Sequence, residues 1–164
     1  MKKLSIVLSV IMLSVFAACS GYSKKDAQKE RAAEKAAEPV KAESEVKASK
    51  RITLDNKGVG AIKNLELPES INQEMVSRGM ELFKTNCSAC HKVSKRFIGP
   101  SPKGIMKRRS PEWIMNMILD PTLMVEEDQC AKDLLVEFNG AAMANQNMTE
   151  DQARDILEYF RTLE

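Results

Sequence analysis

Cys87-Ser88-Ala89-Cys90-His91 is the stretch of this 164-residue sequence that decides the fold. Its two cysteines stand three positions apart, and the only histidine of the chain follows them directly. The pattern C-x-x-C-H is typical of covalent haem attachment, because the two thiols can add to the vinyl groups of one haem while the histidine reaches its iron. The motif therefore predicts one haem c, held covalently by Cys87 and Cys90, with His91 as an axial ligand of the iron.

Three other uses of these two cysteines are less consistent with the sequence. A thioredoxin-like C-x-x-C site would need a βαβ context, and no alternating strand pattern of useful length is present. A structural zinc site would need more cysteine or histidine ligands than the neighbouring sequence offers. A lone disulfide between Cys87 and Cys90 would leave a small helical core without the extra stabilisation that a domain of this size often needs.

Apolar residues at helical spacing predict an all-α domain over residues 70–164, with about four short helices around the haem. Three of the helices begin at a recognisable cap: Ser70 and Thr149 each have a glutamine three positions later, and Ser110 directly precedes a proline. The predicted helices cover about residues 70–87, 110–120, 127–138 and 149–163.

The residues before this domain divide into three segments. Residues 1–18 have a basic start, a short apolar run interrupted by serines and then small residues, which is typical of an export signal and too short for a membrane-spanning helix. Residues 19–50 contain the anchor site described below and a flexible Ala/Lys/Glu-rich linker, which buries too little apolar surface to fold. Residues 51–69 are an N-terminal extension to which no chemistry is assigned.

The end of the export signal, Phe16-Ala17-Ala18-Cys19, resembles the lipobox of bacterial lipoproteins. The resemblance implies cleavage before Cys19 and acylation of this residue, and several acyl chains anchor a protein stably. The protein would then be lipid-anchored in the bacterial cell envelope, facing the periplasm or the outer surface. Phe16 stands where leucine is usual, and the alternative is an ordinary signal peptide with a chance cysteine.

From Gly79 to Leu163 the chain resembles the class I c-type cytochromes. Gly79 and Phe83 stand eight and four positions before the first cysteine of the motif, as in that family, and Tyr159 matches an aromatic residue that the family packs against them from the last helix. The resemblance implies the class I cytochrome c fold, wrapped around one haem.

The segment Ile98-Gly99-Pro100 matches a Gly-Pro of the same family, whose carbonyl accepts a hydrogen bond from the second ring nitrogen of the haem-binding histidine. The resemblance therefore implies that Pro100 orients His91 and strengthens it as a ligand. Trp113, on the second predicted helix, is a candidate haem contact.

The second axial ligand of the iron has several candidates. No second histidine exists, and methionine is a soft donor that raises the potential of a histidine-ligated haem. Methionines on the predicted helices are expected in the core, which leaves Met106, Met124, Met143 and Met148 in loops. The resemblance favours Met143, six residues before the cap of the last helix, with Met148 as the main alternative. Ala144 departs from the proline that the family often has there.

Cys130 is the cysteine that neither the haem motif nor the anchor uses. It lies on the apolar face of the third predicted helix, so we expect it to be buried packing. A reactive or intermolecular thiol is the alternative.

Charge is unevenly distributed along the predicted domain, although the net charge of the whole chain is only +2 and indicates no nucleic acid partner. No acidic residue occurs from position 82 to 111. This stretch, here called the haem loop, is therefore expected to form a basic surface. Such a surface would steer a redox partner protein; the alternative is a solvated surface with one arginine paired to a haem carboxylate. The basic residues are Lys84, Lys92, Lys95, Arg96, Lys103, Lys107, Arg108 and Arg109.

The resemblance implies an electron carrier rather than an enzyme. The expected function is one-electron transfer through a haem with histidine and methionine ligands, in a respiratory chain at the outer side of a bacterial membrane. A membrane-bound donor would supply the electron, a terminal reductase or oxidase would receive it, and the carrier is expected to be a monomer. A peroxidase or gas-binding protein is the alternative, and it would need an open or labile sixth position on the iron.

Overall fold

A computed structural model describes residues 46–164, which form five α-helices and no β-strand. A π-helical turn, Phe83–Cys87, continues the first helix, and a 3₁₀ turn, Ile105–Lys107, precedes the second. The all-α class predicted from the sequence is confirmed. No helix in this part of the chain is long and apolar enough to cross a membrane. The helices are α1 (Gln73–Leu82), α2 (Pro111–Leu119), α3 (Pro121–Glu127), α4 (Gln129–Glu137) and α5 (Glu150–Arg161).

The first and last helices begin at side-chain caps. Thr149 caps α5 and forms the predicted capping box with Gln152. The predicted cap at Ser70 is wrong, because Asn72 caps α1 by accepting hydrogen bonds from two backbone N–H groups of its first turn. The N–H of Asn72 in turn donates to the carboxylate of Glu158, which fixes the start of α1 at this residue.

Helix α3 is an element that the sequence patterns did not predict. Pro121 follows the end of α2 as expected, but it also begins α3, because the side chain of Asp120 accepts a hydrogen bond from the N–H of Leu123 and proline suits the first helical position. Asp128 then caps α4 by accepting from the N–H of Ala131. The helix expected over about residues 127–138 is observed as α4.

Helices α1 and α5 cross at very short range. A Cβ atom on Gly79 would lie 2.0 Å from the backbone oxygen of Asp155, so only glycine lets the two backbones come this close. One turn later the buried Phe83 ring lies 5.7 Å from the ring of Tyr159 and 5.8 Å from that of Phe160, between centroids. The packing that the resemblance implied for Gly79, Phe83 and Tyr159 is therefore present, and it holds the C-terminal end of α1 against α5.

Residues 46–62, here called the strap, lie along helices α2 to α4. Its second half is held by the buried amide of Asn116, which accepts from the N–H of Ile62 and donates to the carbonyl groups of Lys57 and Ile62. Its first half is held by Glu137, whose carboxylate accepts from both the N–H and the hydroxyl of Ser49 at 2.7 Å. Residues 46–50 were assigned to the linker from the sequence, whereas here they contact the helical domain. The export signal, Cys19 and the rest of the predicted linker lie outside the described residues.

Glu158 is a buried carboxylate that ties the start of α1 to α5. It accepts a hydrogen bond from the N–H of Asn72 at 2.8 Å and pairs with Arg154 at 2.5 Å and Arg161 at 2.8 Å. Burial alone would raise the pKa of Glu158, but these three hydrogen bonds outweigh it and the pKa is lowered from its ordinary value of 4.5. A carboxylate with a lowered pKa in the folded state contributes stability above its unfolded pKa, and this contribution is lost as the pH falls through the folded pKa.

We expect Glu158→Gln to lower the free energy of unfolding by about 3 kcal/mol at neutral pH, because removing one partner of a buried ion pair leaves the other charges uncompensated. The loss should shrink at about pH 3, because below its ordinary pKa Glu158 is protonated in the unfolded chain and the stability contributed by its ionised form is being lost. Chemical denaturation at the two pH values measures both effects. Glu126→Gln on the exposed side of α3 is the matched control and should be neutral; equal losses for Glu158→Gln at both pH values would contradict the assignment.

Candidate functional site

Cys87, Cys90 and His91 line one cavity, which they share with the loop before α5. The empty space, with its open mouth included, is about 1390 Å³. Apolar side chains from α2, α4, α5 and the π-helical turn make up most of the wall. They include Phe83, Ile114, Ile118, Leu134, Phe138 and Ile156.

The π-helical turn at the end of α1 places the two cysteines. The N–H of Ser88 donates to the carbonyl of Phe83 at 2.9 Å, and the N–H of His91 donates to the carbonyl of Cys87 at 2.9 Å. Cys87 is half-buried, Cys90 is exposed, and no disulfide joins them. Burial, together with the neighbouring Cys90, raises the pKa of the Cys87 thiol to about 11. The free Cys87 side chain is therefore a neutral thiol against an apolar wall.

His91 is oriented by the carbonyl of Pro100, whose oxygen lies 2.8 Å from Nδ1. A carbonyl oxygen can only accept, so Nδ1 carries the proton and Nε2 keeps the lone pair of the neutral ring. Gly99 makes room for this contact, since a Cβ there would lie 2.4 Å from Cε1 of His91. The N–H of Gly99 also donates to the carbonyl of Cys90 at 2.9 Å. Such an arrangement is typical of metal-ligating histidines.

The methionines singled out from the sequence lie in different environments. Met143 lines the cavity. Met124 is fully buried in the core, and its sulfur accepts a hydrogen bond from the N–H of Val59 at 3.2 Å. Met106 and Met148 pack against the core. Met117 on α2 also lines the cavity, although its helical spacing predicted a core position. The sequence pattern could not distinguish the two positions, because Met117 packs against the core and lines the cavity from the same apolar face of α2.

Trp113 lies at the wall of the cavity, as expected for a haem contact, and is almost fully buried. Its indole Nε1 donates to the carboxylate of Asp128 at 3.0 Å. The guanidinium of Arg109 lies 5.2 Å from the centre of its ring. The tryptophan thus joins the cavity wall to the N-terminus of α4.

Among residues 46–164, Arg108 and Arg109 are the only permanently charged residues that line the cavity. Burial lowers the pKa of both guanidinium groups, and neither is in an ion pair within the described part of the chain. Nε of Arg109 is buried and has no hydrogen-bond partner among residues 46–164. Buried positive charge of this kind is costly unless an anion or another acceptor approaches it. The sequence left open which arginine of the basic stretch would pair with a haem carboxylate, and these contacts favour Arg109.

The remaining basic residues of the haem loop differ in their contacts. Arg96 pairs with Glu137 at 3.2 Å, with its guanidinium 4.0 Å from the ring centre of Phe138, and Lys107 pairs with Glu164. Lys95 and Lys103 are exposed. Beside the exposed Cys90, the large apolar side chains Phe97 and Ile98 are each 49% exposed.

Other metal or thiol chemistry has little support in this part of the chain. Residues 46–164 contain no group of three or more His, Cys, Asp or Glu side chains placed to hold a metal ion. Cys130 is buried in the core, as expected, and burial raises the pKa of its thiol.

Comparison with known proteins identifies relatives of the domain. Residues 76–164 match the family model described as cytochrome c. Among solved structures, cytochrome c from Rhodothermus marinus is 40% identical, covers 63% of this chain and 89% of its own, and superposes with a TM-score of 0.61. An engineered cytochrome c from the same organism, Rma TDE, is 39% identical, with 63% and 90% covered and a TM-score of 0.61. The same engineered protein bound to a carbene intermediate is 39% identical, with 63% and 89% covered and a TM-score of 0.59. No curated protein sequence matches.

Proposed function

Because the chain belongs to the cytochrome c family and carries haem c with its iron, we propose that it is an electron carrier whose haem is bound by Cys87 and Cys90 and ligated by His91 and Met143. Haem-based electron transfer is the function of the family. The single observation that supports the residue assignment is that two thiols, an imidazole held at Nδ1 and the thioethers of Met143 and Met117 all line one apolar cavity.

The described residues fit haem c in size, polarity and charge. The apolar wall suits a flat aromatic macrocycle and keeps water from it. His91 offers Nε2 because Pro100 holds the proton at Nδ1. Arg108 and Arg109 bring positive charge to a cavity to which the described residues contribute no acidic side chain, and this suits the haem carboxylates. When bound, the haem supplies reversible one-electron oxidation of its iron.

Met143 decides between a carrier and an enzyme. A thioether in the sixth position leaves no open site for a substrate, so a peroxidase or a gas-binding protein is not proposed. Ligation by histidine and methionine also raises the reduction potential of the iron. The bond would hold the loop between α4 and α5 over the cavity, where the side chains next to Met143 are otherwise exposed.

The surface beside Cys90 is the proposed docking site for redox partner proteins, which membership of the family implies. Phe97 and Ile98 provide exposed apolar area, and Lys95 and Lys103 provide positive charge that is in no ion pair with another described residue. A basic rim around an apolar contact speeds the encounter with an acidic partner. We place this exchange in a respiratory chain at the outer side of a bacterial membrane, between a membrane-bound donor and a terminal reductase or oxidase.

A lipid anchor at Cys19 is proposed from the sequence, since the small residues before this cysteine follow an export signal. The anchor would confine the carrier to a layer near the membrane and raise its effective concentration for membrane-bound partners. The predicted linker would set the thickness of that layer.

We expect Met143→Ala to keep the haem covalently attached but to remove the weak absorption at the red end of the visible spectrum that a thioether gives ferric haem. The potential should fall, and the reduced iron should bind carbon monoxide, because the sixth position is open. Visible spectra and a redox titration measure this. Met148→Leu is the control and should change none of these properties, since Met148 packs in the core. If Met143→Ala kept the absorption, Met117 would become the candidate ligand.

We expect Cys19→Ser to release the mature protein from membranes or to block its processing, because acylation requires the cysteine sulfur. Fractionation of cells and the mass of the mature N-terminus measure the effect. Ser20→Ala is the matched control and should leave both unchanged. A Cys19→Ser protein that fractionates and is processed like the wild type would contradict the anchor.

We expect the double change Lys95→Glu and Lys103→Glu to slow electron transfer to an acidic partner and to flatten its dependence on ionic strength, with the haem spectrum unchanged. Stopped-flow kinetics at several salt concentrations test this. Lys132→Glu on the exposed side of α4 introduces the same kind of charge change outside the basic stretch and should have a much smaller effect. Equal rates for the double variant and the wild type at low salt would refute this docking site.

A further inference from the structure

We propose that the first half of the strap, residues 46–53, belongs to the redox site: its backbone carbonyl groups fix the guanidinium of Arg109 at the haem cavity and thereby raise the reduction potential of the iron. This inference rests on the proposed function, because it requires the haem to occupy the cavity that Arg109 lines. The strap residues act as positioning elements, and Arg109 is the group that faces the haem.

The strap uses the outer end of the Arg109 side chain. Nη1 donates to the carbonyl of Arg51 at 2.5 Å, and Nη2 donates to the carbonyl of Ala48 at 2.6 Å. The strap also runs beside the arginine pair as an isolated bridge between Thr53 and Arg109, and the N–H of Thr53 donates to the carbonyl of Arg108 at 2.8 Å. Two carbonyl acceptors in fixed positions determine the plane of a guanidinium, since its N–H groups form a rigid fork.

Two of the five N–H groups of this guanidinium remain, one of them on Nε, because Nη1 also donates to the carbonyl of Arg108 at 3.0 Å. Arg109 is only 3% exposed and lines the cavity, and its Nε finds no hydrogen-bond partner among residues 46–164, although the thiol of Cys130 also lies within hydrogen-bond reach of the guanidinium. A buried donor of a charged group that lacks an acceptor costs more than a neutral one. Haem c carries carboxylates, whereas the part of the cavity wall formed by residues 46–164 carries none, so a haem carboxylate is the acceptor that this geometry lacks.

A cation held at this wall raises the potential for an electrostatic reason. Oxidation adds one positive charge to the iron, and a nearby guanidinium in an apolar wall opposes it more strongly than a solvated one would. The other charged or titratable groups around Arg109 are Arg51, Arg108, Asp128 and Cys130. Arg51 pairs with Asp133 at 2.6 Å, and Asp128 accepts from Asn56 and Trp113. Because Asp133 and Asp128 already have these partners, we do not expect either carboxylate to take the place of the haem carboxylate at Arg109.

The strap can be displaced at Arg109 without any change of charge. Ala48 is 5% exposed, so Ala48→Leu places a larger side chain in filled space and must shift the backbone that holds Arg109. Gly60→Ala is the matched control. Its Cβ would lie 2.4 Å from Oδ1 of Asn116, so it would displace the second half of the strap, which does not contact Arg109. Arg109→Gln removes the cation itself.

Redox titration of the full-length holoprotein and these variants tests the proposal. We expect Ala48→Leu and Gly60→Ala both to lower the unfolding temperature, but only Ala48→Leu to lower the potential. Arg109→Gln should lower the potential at least as much as Ala48→Leu. In the Arg109→Gln background, Ala48→Leu should produce no further fall, because the strap acts through the arginine. If Arg109→Gln does not retain haem, Arg109→Lys replaces it, since one ammonium cannot hold two strap carbonyls and a cavity acceptor together.

Two results would overturn the proposal: an unchanged potential in Ala48→Leu, or an equal fall for Ala48→Leu in the wild-type and Arg109-substituted backgrounds. The second result would mean that the strap acts by shielding the haem from water. The thioether absorption of the oxidised protein is recorded for each variant and separates these outcomes from failure of the proposed function. If the wild type lacks covalent haem or this absorption, the site assignment fails; if both are present and the potentials do not respond as expected, only the role of the strap fails.

Discussion

The hydrogen bond between Nδ1 of His91 and the carbonyl of Pro100 is the interaction on which the rest of the site depends. It places the proton on Nδ1, so the opposite nitrogen is free to ligate a metal. The carbonyl is held in place because the N–H of Gly99 returns to Cys90, and because Gly99 has no side chain to strike the ring. The cysteine motif and the group that orients its histidine thus form one closed loop. A free rotation of the imidazole, in contrast, would let either nitrogen face the cavity.

The helices fix the two ends of this loop. Helix α1 leads directly into the cysteine motif. It is held at its start by the buried Glu158 and near its end by the close approach of Gly79 to α5. The loop then leads to Arg108 and Arg109, which the strap and α2 enclose. Glu158 with Arg154 and Arg161 stabilises the crossing of α1 and α5. Arg108 and Arg109 instead line the cavity, where we propose that they pair with the haem carboxylates.

Local signals predicted much of this arrangement, and distant contacts account for what they missed. The C-x-x-C-H motif and the Thr149 capping box depend on residues whose spacing is visible in the sequence. The Phe83–Tyr159 packing and the cytochrome c fold were implied instead by the resemblance to the class I c-type cytochromes. The start of α1 at Asn72 depends instead on Glu158, 86 positions away. Met117 and Arg109 lie on the cavity because α2 and the strap meet there, which no periodicity shows. The anchor at Cys19 and the individual haem ligands stay predictions.

The central claim is that Cys87 and Cys90 hold the haem covalently, with His91 placed by the same motif. Mass spectrometry of the denatured and protease-digested holoprotein tests it most directly. The account predicts that the peptide containing residues 87–91 carries the mass of one haem and that acidified organic solvent extracts no haem from the protein. An unmodified peptide at residues 87–91, with haem released into the solvent, would contradict the account.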